Sequence, residues 1–246
     1  MRAQMDKEHL PSLPANIPQL ARDVIHVWVM SLELPRQERD HCLSLLSADE
    51  KTRAEKFYFE KARDHFIAGR GLLRTLLGGY LEVEPAEIQF DDEPQGKPIL
   101  KDQSIQFNVS HSDGLGVVAV CWDRRVGVDI EWHRPLADMD DLARRFFTAN
   151  ESALLASLSW SGKQELFYKL WTCKEAYLKA VGAGLFIPLD QVEVKFEADG
   201  GVHLISKEGI EMNEWQLRMF SPHVKYQSAV CVEGGGIEIV VQSLGH

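Results

Sequence analysis

Asp129 and Glu131 lie one residue apart in the strand-like run Val126-Gly127-Val128-Asp129-Ile130-Glu131. Alternation along a strand places both carboxylates on one face, with Val128 and Ile130 on the other. Two carboxylates that close repel each other and are costly to desolvate unless a cation lies between them. Oxygen ligation of that kind suits Mg²⁺, which takes one or two carboxylates and completes its shell with phosphate oxygens. Mn²⁺ accepts the same donors. An acidic pair solvated on an exposed strand face fits the pattern equally well. A second set lies in Trp171-Thr172-Cys173-Lys174-Glu175-Ala176-Tyr177-Leu178-Lys179. Helical spacing puts Glu175 beside Trp171 and Leu178, with Lys179 one turn on in the favoured i,i+4 order. A salt-bridged solvent face is the ordinary meaning of such a pair. The apolar neighbours argue instead for a carboxylate and an ammonium placed in a site.

A third set, Phe107-Asn108-Val109-Ser110-His111-Ser112-Asp113-Gly114, ends a strand in small hydrogen-bonding side chains suited to phosphate oxygens. Reading Ser110 and His111 as nucleophile and base is weak, because neighbours on a strand point to opposite faces. A plain turn is the competing interpretation. Gln95-Gly96-Lys97-Pro98 adds a turn with one cation. There is no Walker loop, no G-x-G-x-x-G, no H-E-x-x-H and no zinc-type spacing. The one locally basic stretch carries Lys51, Arg53, Lys56, Lys61, Arg63, Arg70 and Arg74, interleaved with acids.

These residues must be positioned by a chain of 246 residues, 45% hydrophobic and 26% charged, with a net charge of -10. The apolar fraction suffices for a real core and excludes a disordered or collagen-like chain. The acidic balance argues against nucleic acid as a partner, and no run approaches the roughly 20 apolar residues of a membrane span. The four cysteines are far apart, with no C-x-x-C, so a reduced, cytoplasmic compartment is expected. Periodicity predicts a strand at 24–32, helices at 36–46, 48–60 and 62–81, and strands at 104–109, 116–122 and 125–131. Helices follow at 138–146, 149–157 and 163–181, then strands near 190–196, 201–205, 215–220, 226–232 and 236–242. The block from Ile105 to Cys121 recurs from Trp215 to Cys231 at a constant offset of 110, with Gln106/Gln216, Ala119/Ala229, Val120/Val230 and Cys121/Cys231 identical. The order of helix and strands recurs with it. The fold expected is therefore α+β, a pseudo-dimer of two similar subdomains, each an antiparallel meander on a long helix. Residues 1–22 read as a loose tail, 23–124 as the first subdomain and 125–246 as the second, with a site at their interface.

In order along the chain, Gly96-Lys97-Pro98, Phe107-Asn108-Val109-Ser110-His111-Ser112, Gly127-Val128-Asp129-Ile130-Glu131 and Trp171 to Lys179 resemble the 4′-phosphopantetheinyl transferases of the surfactin-synthetase-activator (Sfp) type. The similarity runs from about Ser47 to the end, and the family's pseudo-dimeric fold agrees with the repeat. The resemblance implies transfer of the phosphopantetheine arm of coenzyme A to a serine of an apo acyl, peptidyl or aryl carrier protein, with adenosine 3′,5′-bisphosphate released. It implies Asp129, Glu131 and Glu175 as ligands of Mg²⁺ on the diphosphate and Glu175 as general base. Lys179 and Lys174 would face the diphosphate. Lys97, Ser110 and His111 would contact the phosphates of the adenosine end, Pro98 would lie near the adenine, and Arg53 and His65 would match phosphate-contacting positions. A monomer is expected. Thr172 stands where the family often has serine, Glu50 where lysine is frequent, and His65 near a common second arginine. Two other classes remain open. A Mg²⁺-dependent phosphohydrolase would use the same carboxylates with water as acceptor. A non-catalytic module that binds coenzyme A or carriers would have no need of Asp129, Glu131, Glu175 and Lys179 together.

Overall fold

The computed structural model describes residues 17–92, 97–101, 105–182 and 188–244. The strands are β1 (Val24–Ser31), β2 (Phe90–Asp92), β3 (Pro98–Leu100), β4 (Gln106–Ser112), β5 (Leu115–Cys121), β6 (Val126–Trp132), β7 (Val192–Phe196), β8 (Val202–Ser206), β9 (Trp215–Phe220), β10 (Tyr226–Glu233) and β11 (Glu238–Ser243). The helices are α1 (Arg36–Leu45), α2 (Ala48–Glu55), α3 (Glu60–Leu81), α4 (Met139–Phe146), α5 (Ala149–Ala156) and α6 (Trp160–Val181).

Local chemistry builds the two halves alike. Ser47 caps α2 and Thr148 caps α5, and each side chain accepts from the backbone N–H of a glutamate three residues on. That glutamate, Glu50 or Glu151, accepts in turn from the N–H of the capping residue. Both long helices, α3 and α6, have 22 residues and end at a left-handed residue, Glu82 or Gly182. The capping glutamates have a second partner in those helices: Glu50 meets Arg74 at 2.8 Å, and Glu151 meets Lys174 at 2.7 Å. Arg74 also donates to the carbonyls of Pro85 and Ile88, and Lys174 to those of Leu189 and Val192. One buried device thus ties a short helix, a long helix and the turn beyond it in each half.

The strands form a sheet in the order β11-β1-β5-β4 and another in the order β6-β10-β9, with β2-β3 and β7-β8 as separate hairpins. Three cores result. One lies between α3 and the first sheet (Leu76, Leu77, Phe107, Val120), another between α6 and the second (Phe167, Ala176, Leu217, Cys231). The third lies between the sheets (Val27, Ala119, Val128, Ile130, Val230, Ile239). The layers run helix, sheet, sheet, helix.

The topology differs from two simple meanders. β6 leaves the first sheet to pair with β10, and β11 returns to pair in parallel with β1. Residues 125–246 therefore contribute their last strand to the first half's sheet. Alternation identifies a strand but not its neighbour, so this exchange is invisible in the local pattern. The offset also needs correction. Phe107 lies opposite Val120, and Leu217 opposite Cys231; Phe107 and Leu217 both face their helices. β4 maps to β9 by 217 − 107 = 110, but β5 maps to β10 by 231 − 120 = 111. At 110, Val120 faces α3 while Val230 faces the other sheet, so those identities sit on opposite faces. The tail expectation fails for residues 17–22, while residues 1–16 lie outside the described set. Leu20 is buried and its carbonyl accepts from Trp122 Nε1 at 2.8 Å, because an apolar residue there completes the α3 core.

Removing one partner of a buried ion pair strands a charge, at a cost of about 3–5 kcal/mol. Glu151→Ala should lower the unfolding free energy in urea by that amount. Arg125→Ala, at the exposed pair with Glu233, should change it by no more than about 1 kcal/mol.

Candidate active site at the seam

β4 and β6 come together at the seam between the two sheets, where side chains replace a backbone ladder. The same face of β4 presents Asn108, Ser110 and Ser112. Asn108 Oδ1 accepts from Val128 N–H at 2.9 Å, and Ser112 Oγ accepts from Trp132 N–H at 3.0 Å. Between them, Ser110 donates to Asp129 Oδ1 at 2.9 Å and Ser112 to Glu131 Oε2 at 3.1 Å. Each carboxylate of β6 is thus held by one serine of β4. The face of β6 that carries them looks at α6, and Gly127 makes that approach feasible. A Cβ there would stand 2.1 Å from the Ala176 carbonyl oxygen and 2.3 Å from Ala180 N.

α6 brings Glu175 and Lys179 to this face. Lys179 Nζ lies 2.6 Å from Asp129 Oδ1 and donates to Ser110 Oγ at 2.9 Å and to the Val128 carbonyl at 3.3 Å. Its ion pair therefore crosses to β6 rather than closing along the helix. Burial pushes the Asp129 carboxyl above its ordinary pKa, against the pull of Lys179. Glu131 and Glu175 are both raised by burial and then by the charge of Asp129. Glu131 and Glu175 are each repelled by Asp129 and drawn by the Lys179 ammonium.

The donor set can be tested against a divalent cation. Asp129 Oδ2 is buried without a hydrogen-bond partner, while Oδ1 takes both Ser110 and Lys179. Among the described residues no three carboxylate, histidine or cysteine groups already stand close enough to enclose an ion. Carboxylate oxygens are donors of the kind a hard cation takes, and Asp129 Oδ2 has no other partner.

The other expected residues are placed as follows. His111 lies next to Ser110 on β4 and has its pKa lowered by desolvation and then by the Lys179 charge. His65, half-buried on α3, has its pKa lowered by burial and then by Lys61, and it also feels His111. Lys97 Nζ sits 3.2 Å from the carbonyls of Val126 and Lys179, bridging β6 and the last turn of α6. Pro98 opens β3, opposite Asp92; Gly96 lies outside the described residues. Arg53 stacks over Phe66 and lines a cavity of about 400 Å³ with Arg70, Phe90 and Lys101. Asp129, Glu131, Glu175 and Lys179 do not line that cavity.

Lys174 is a correction. It was expected at the diphosphate, but its side chain is 0% exposed and its donors go to Glu151 and two backbone carbonyls. Five residues along a helix is 140° around it, so Lys174 cannot share the face of Lys179. Asn108, Ser112 and Gly127 stood inside the sequence motifs without individual roles, and Glu151 stood outside them. The first two were visible as period-two companions of Ser110, and Gly127 as the start of the acidic run. Glu151 carried only a capping signature.

The family model for the 4′-phosphopantetheinyl transferase superfamily matches residues 125–231, and that for the 4′-phosphopantetheinyl transferase N-terminal region matches residues 34–123. The 4′-phosphopantetheinyl transferase HetI of Nostoc sp. is 41% identical over 227 residues, covering 91% of this chain and 93% of its own. The 4′-phosphopantetheinyl transferase ffp of Bacillus subtilis is 30% identical over 82% of this chain and 88% of its own. The transferase Sfp of Bacillus subtilis is 27% identical over the same shares. Among solved structures, a holo-(acyl-carrier-protein) synthase from Bacillus anthracis aligns over 45% of this chain and 96% of its own, at 28% identity and a TM-score of 0.37.

Gly127→Ala tests the packing that builds the site. Its methyl group meets backbone, which cannot rotate away, so the cost should reach at least the usual 1–3 kcal/mol of overpacking, roughly. A variant that unfolds at the wild-type urea midpoint would contradict the close approach of α6 to β6.

Proposed function

The chain belongs to the 4′-phosphopantetheinyl transferase superfamily, in the group of Sfp, and from that premise we propose that it moves the phosphopantetheine arm of coenzyme A onto a serine hydroxyl of an apo carrier protein. The observation that carries this reading is the ion pair of buried Asp129 with Lys179 at the seam, with half-buried Glu131 and Glu175 in the field of both charges.

In the proposed reaction the carrier serine oxygen attacks the phosphorus that bears pantetheine. The bond from that phosphorus to the bridging oxygen breaks, and adenosine 3′,5′-bisphosphate leaves with that oxygen. Glu175 takes the serine proton; burial and the neighbouring Asp129 charge both raise its proton affinity, which favours a base. Lys179 presents its ammonium to the diphosphate as charge develops on the leaving oxygen. Asp129, Glu131 and Glu175 would hold Mg²⁺, or Mn²⁺, whose charge would offset that of the diphosphate when bound. Ser110 and Ser112 keep the two β6 carboxylates aimed at this point. His111 and His65, on the β4 and α3 side, and Lys97, at the end of α6, are assigned to the phosphates of the adenosine end, with Pro98 beside the adenine. Arg53 is assigned to the same phosphates through its exposed end. Lys174 has no part in this step. No described helix is long and apolar enough to cross a membrane, and a monomeric, cytoplasmic enzyme is proposed.

The test is intact-protein mass spectrometry of several apo carriers incubated with the chain, coenzyme A and Mg²⁺. Each carrier that is a substrate should gain one phosphopantetheine arm, and absence of an adduct on every carrier would overturn the reading. Without carrier, coenzyme A should persist; its consumption would identify water as acceptor. Glu175→Gln should lose at least about 100-fold in kcat at an unchanged unfolding midpoint. A near-normal rate would remove Glu175 as base.

A further inference from the structure

Lys179 and a divalent cation have claims on the same carboxylate. Asp129 is almost fully buried, and its Oδ1 already takes two donors, Lys179 at 2.6 Å and Ser110 at 2.9 Å. A cation that binds through Oδ2 would lie on the other oxygen of the same group, close to the Lys179 ammonium. Two positive centres on one carboxylate repel strongly where water is scarce. Lys179 is 28% exposed at its side chain, so it has room to leave Asp129, and its other partners are neutral oxygens. A diphosphate at the seam would give it a doubly anionic alternative.

We propose that Lys179 is an exchangeable counter-ion, held by Asp129 until a phosphate ligand draws it off, so that metal and coenzyme A bind cooperatively through this one side chain. The inference rests on the metal-ligand role proposed above for Asp129, Glu131 and Glu175. Cation binding without nucleotide must break or strain the Lys179–Asp129 pair, and nucleotide binding without cation leaves Asp129 without its counter-charge. Each ligand removes the other's penalty, and linkage requires the effect to be reciprocal.

The experiment is calorimetric titration of the full chain with Mn²⁺, with and without saturating coenzyme A. Wild-type protein should bind Mn²⁺ about tenfold more tightly when coenzyme A is present. Lys179→Met should bind Mn²⁺ alone about tenfold more tightly than wild type, and addition of coenzyme A should then gain it less than about threefold. Arg134→Gln separates exchange from a general field effect, because Arg134 faces Glu131 electrostatically but holds no side-chain bond to Asp129. It should raise Mn²⁺ affinity less than about threefold. Equal Mn²⁺ affinity with and without coenzyme A in the wild type would overturn the exchange without recourse to any variant. So would K179M binding no more tightly than wild type, or R134Q matching it. Asp129→Asn binding Mn²⁺ as tightly as wild type would instead overturn the metal-ligand reading, and the exchange with it.

Discussion

A helix carrying Glu175 and Lys179 can serve the seam only if its rotation about its own axis is set, and the contact that sets it is the fully buried pair of Lys174 and Glu151. Burying two charges is expensive, and their attraction offsets the cost only when every other donor is satisfied. Lys174 meets that condition through the carbonyls of Leu189 and Val192. Rotating α6 by a residue would carry the ammonium out of reach of all three partners at once. The next residue, Glu175, is consequently aimed 100° away, toward β6. Glu151 is anchored in turn by its capping box and by the Val194 N–H, so α5, α6 and β7 share one fixed point.

The remaining requirement is depth. Gly127 lets α6 approach β6 until its backbone nearly touches, which brings Lys179 within hydrogen-bond distance of Asp129. On the far side, β4 reaches β6 through Asn108, Ser110 and Ser112 in place of a ladder of backbone bonds. Side-chain stitching leaves the carboxylates partly satisfied, with Asp129 buried and Glu131 half-buried. Asp129 Oδ2 is buried there without a hydrogen-bond partner.

How far the site was legible in the sequence can be traced residue by residue. Asp129 and Glu131 were placed on one face because strand alternation is local; that this face meets α6 depends on Gly127 and on the exchange of β6 into the other sheet, neither of which is local. Glu175 and Lys179 were grouped by helical spacing, and the grouping survives because both turn toward β6. Lys174 was misplaced because its position in the motif suggested the site, while its partner Glu151 lies 174 − 151 = 23 residues earlier, beyond any helical period. Three of the four identities through which the repeat was found, at 119/229, 120/230 and 121/231, sit on opposite faces, yet the order of elements that accompanied them is present. Order is set by chain connectivity, whereas a one-residue register slip costs a sequence comparison almost nothing and a strand its entire facing.

That order of elements also explains why the chemistry sits at one place only. Superposing the two 22-residue helices aligns Arg74 with Lys174, and the same shift of 174 − 74 = 100 aligns Thr75 with Glu175 and Gly79 with Lys179. Superposing the inter-sheet residues Ile239 and Val128 sets Val240 and Gln242 in β11 where Asp129 and Glu131 stand in β6. Thr75, Gly79, Val240 and Gln242 thus hold the four positions without a charge. The space they would share is taken up: β1 is inserted between β11 and β5, and a Cβ at Gly79 would come within 2.5 Å of Ile17 Cδ1. What both halves retain is the buried ion pair of the capping glutamate. The device that orients a long helix is therefore separable from the groups that helix presents: α6 carries Glu175 and Lys179 where α3 carries Thr75 and Gly79.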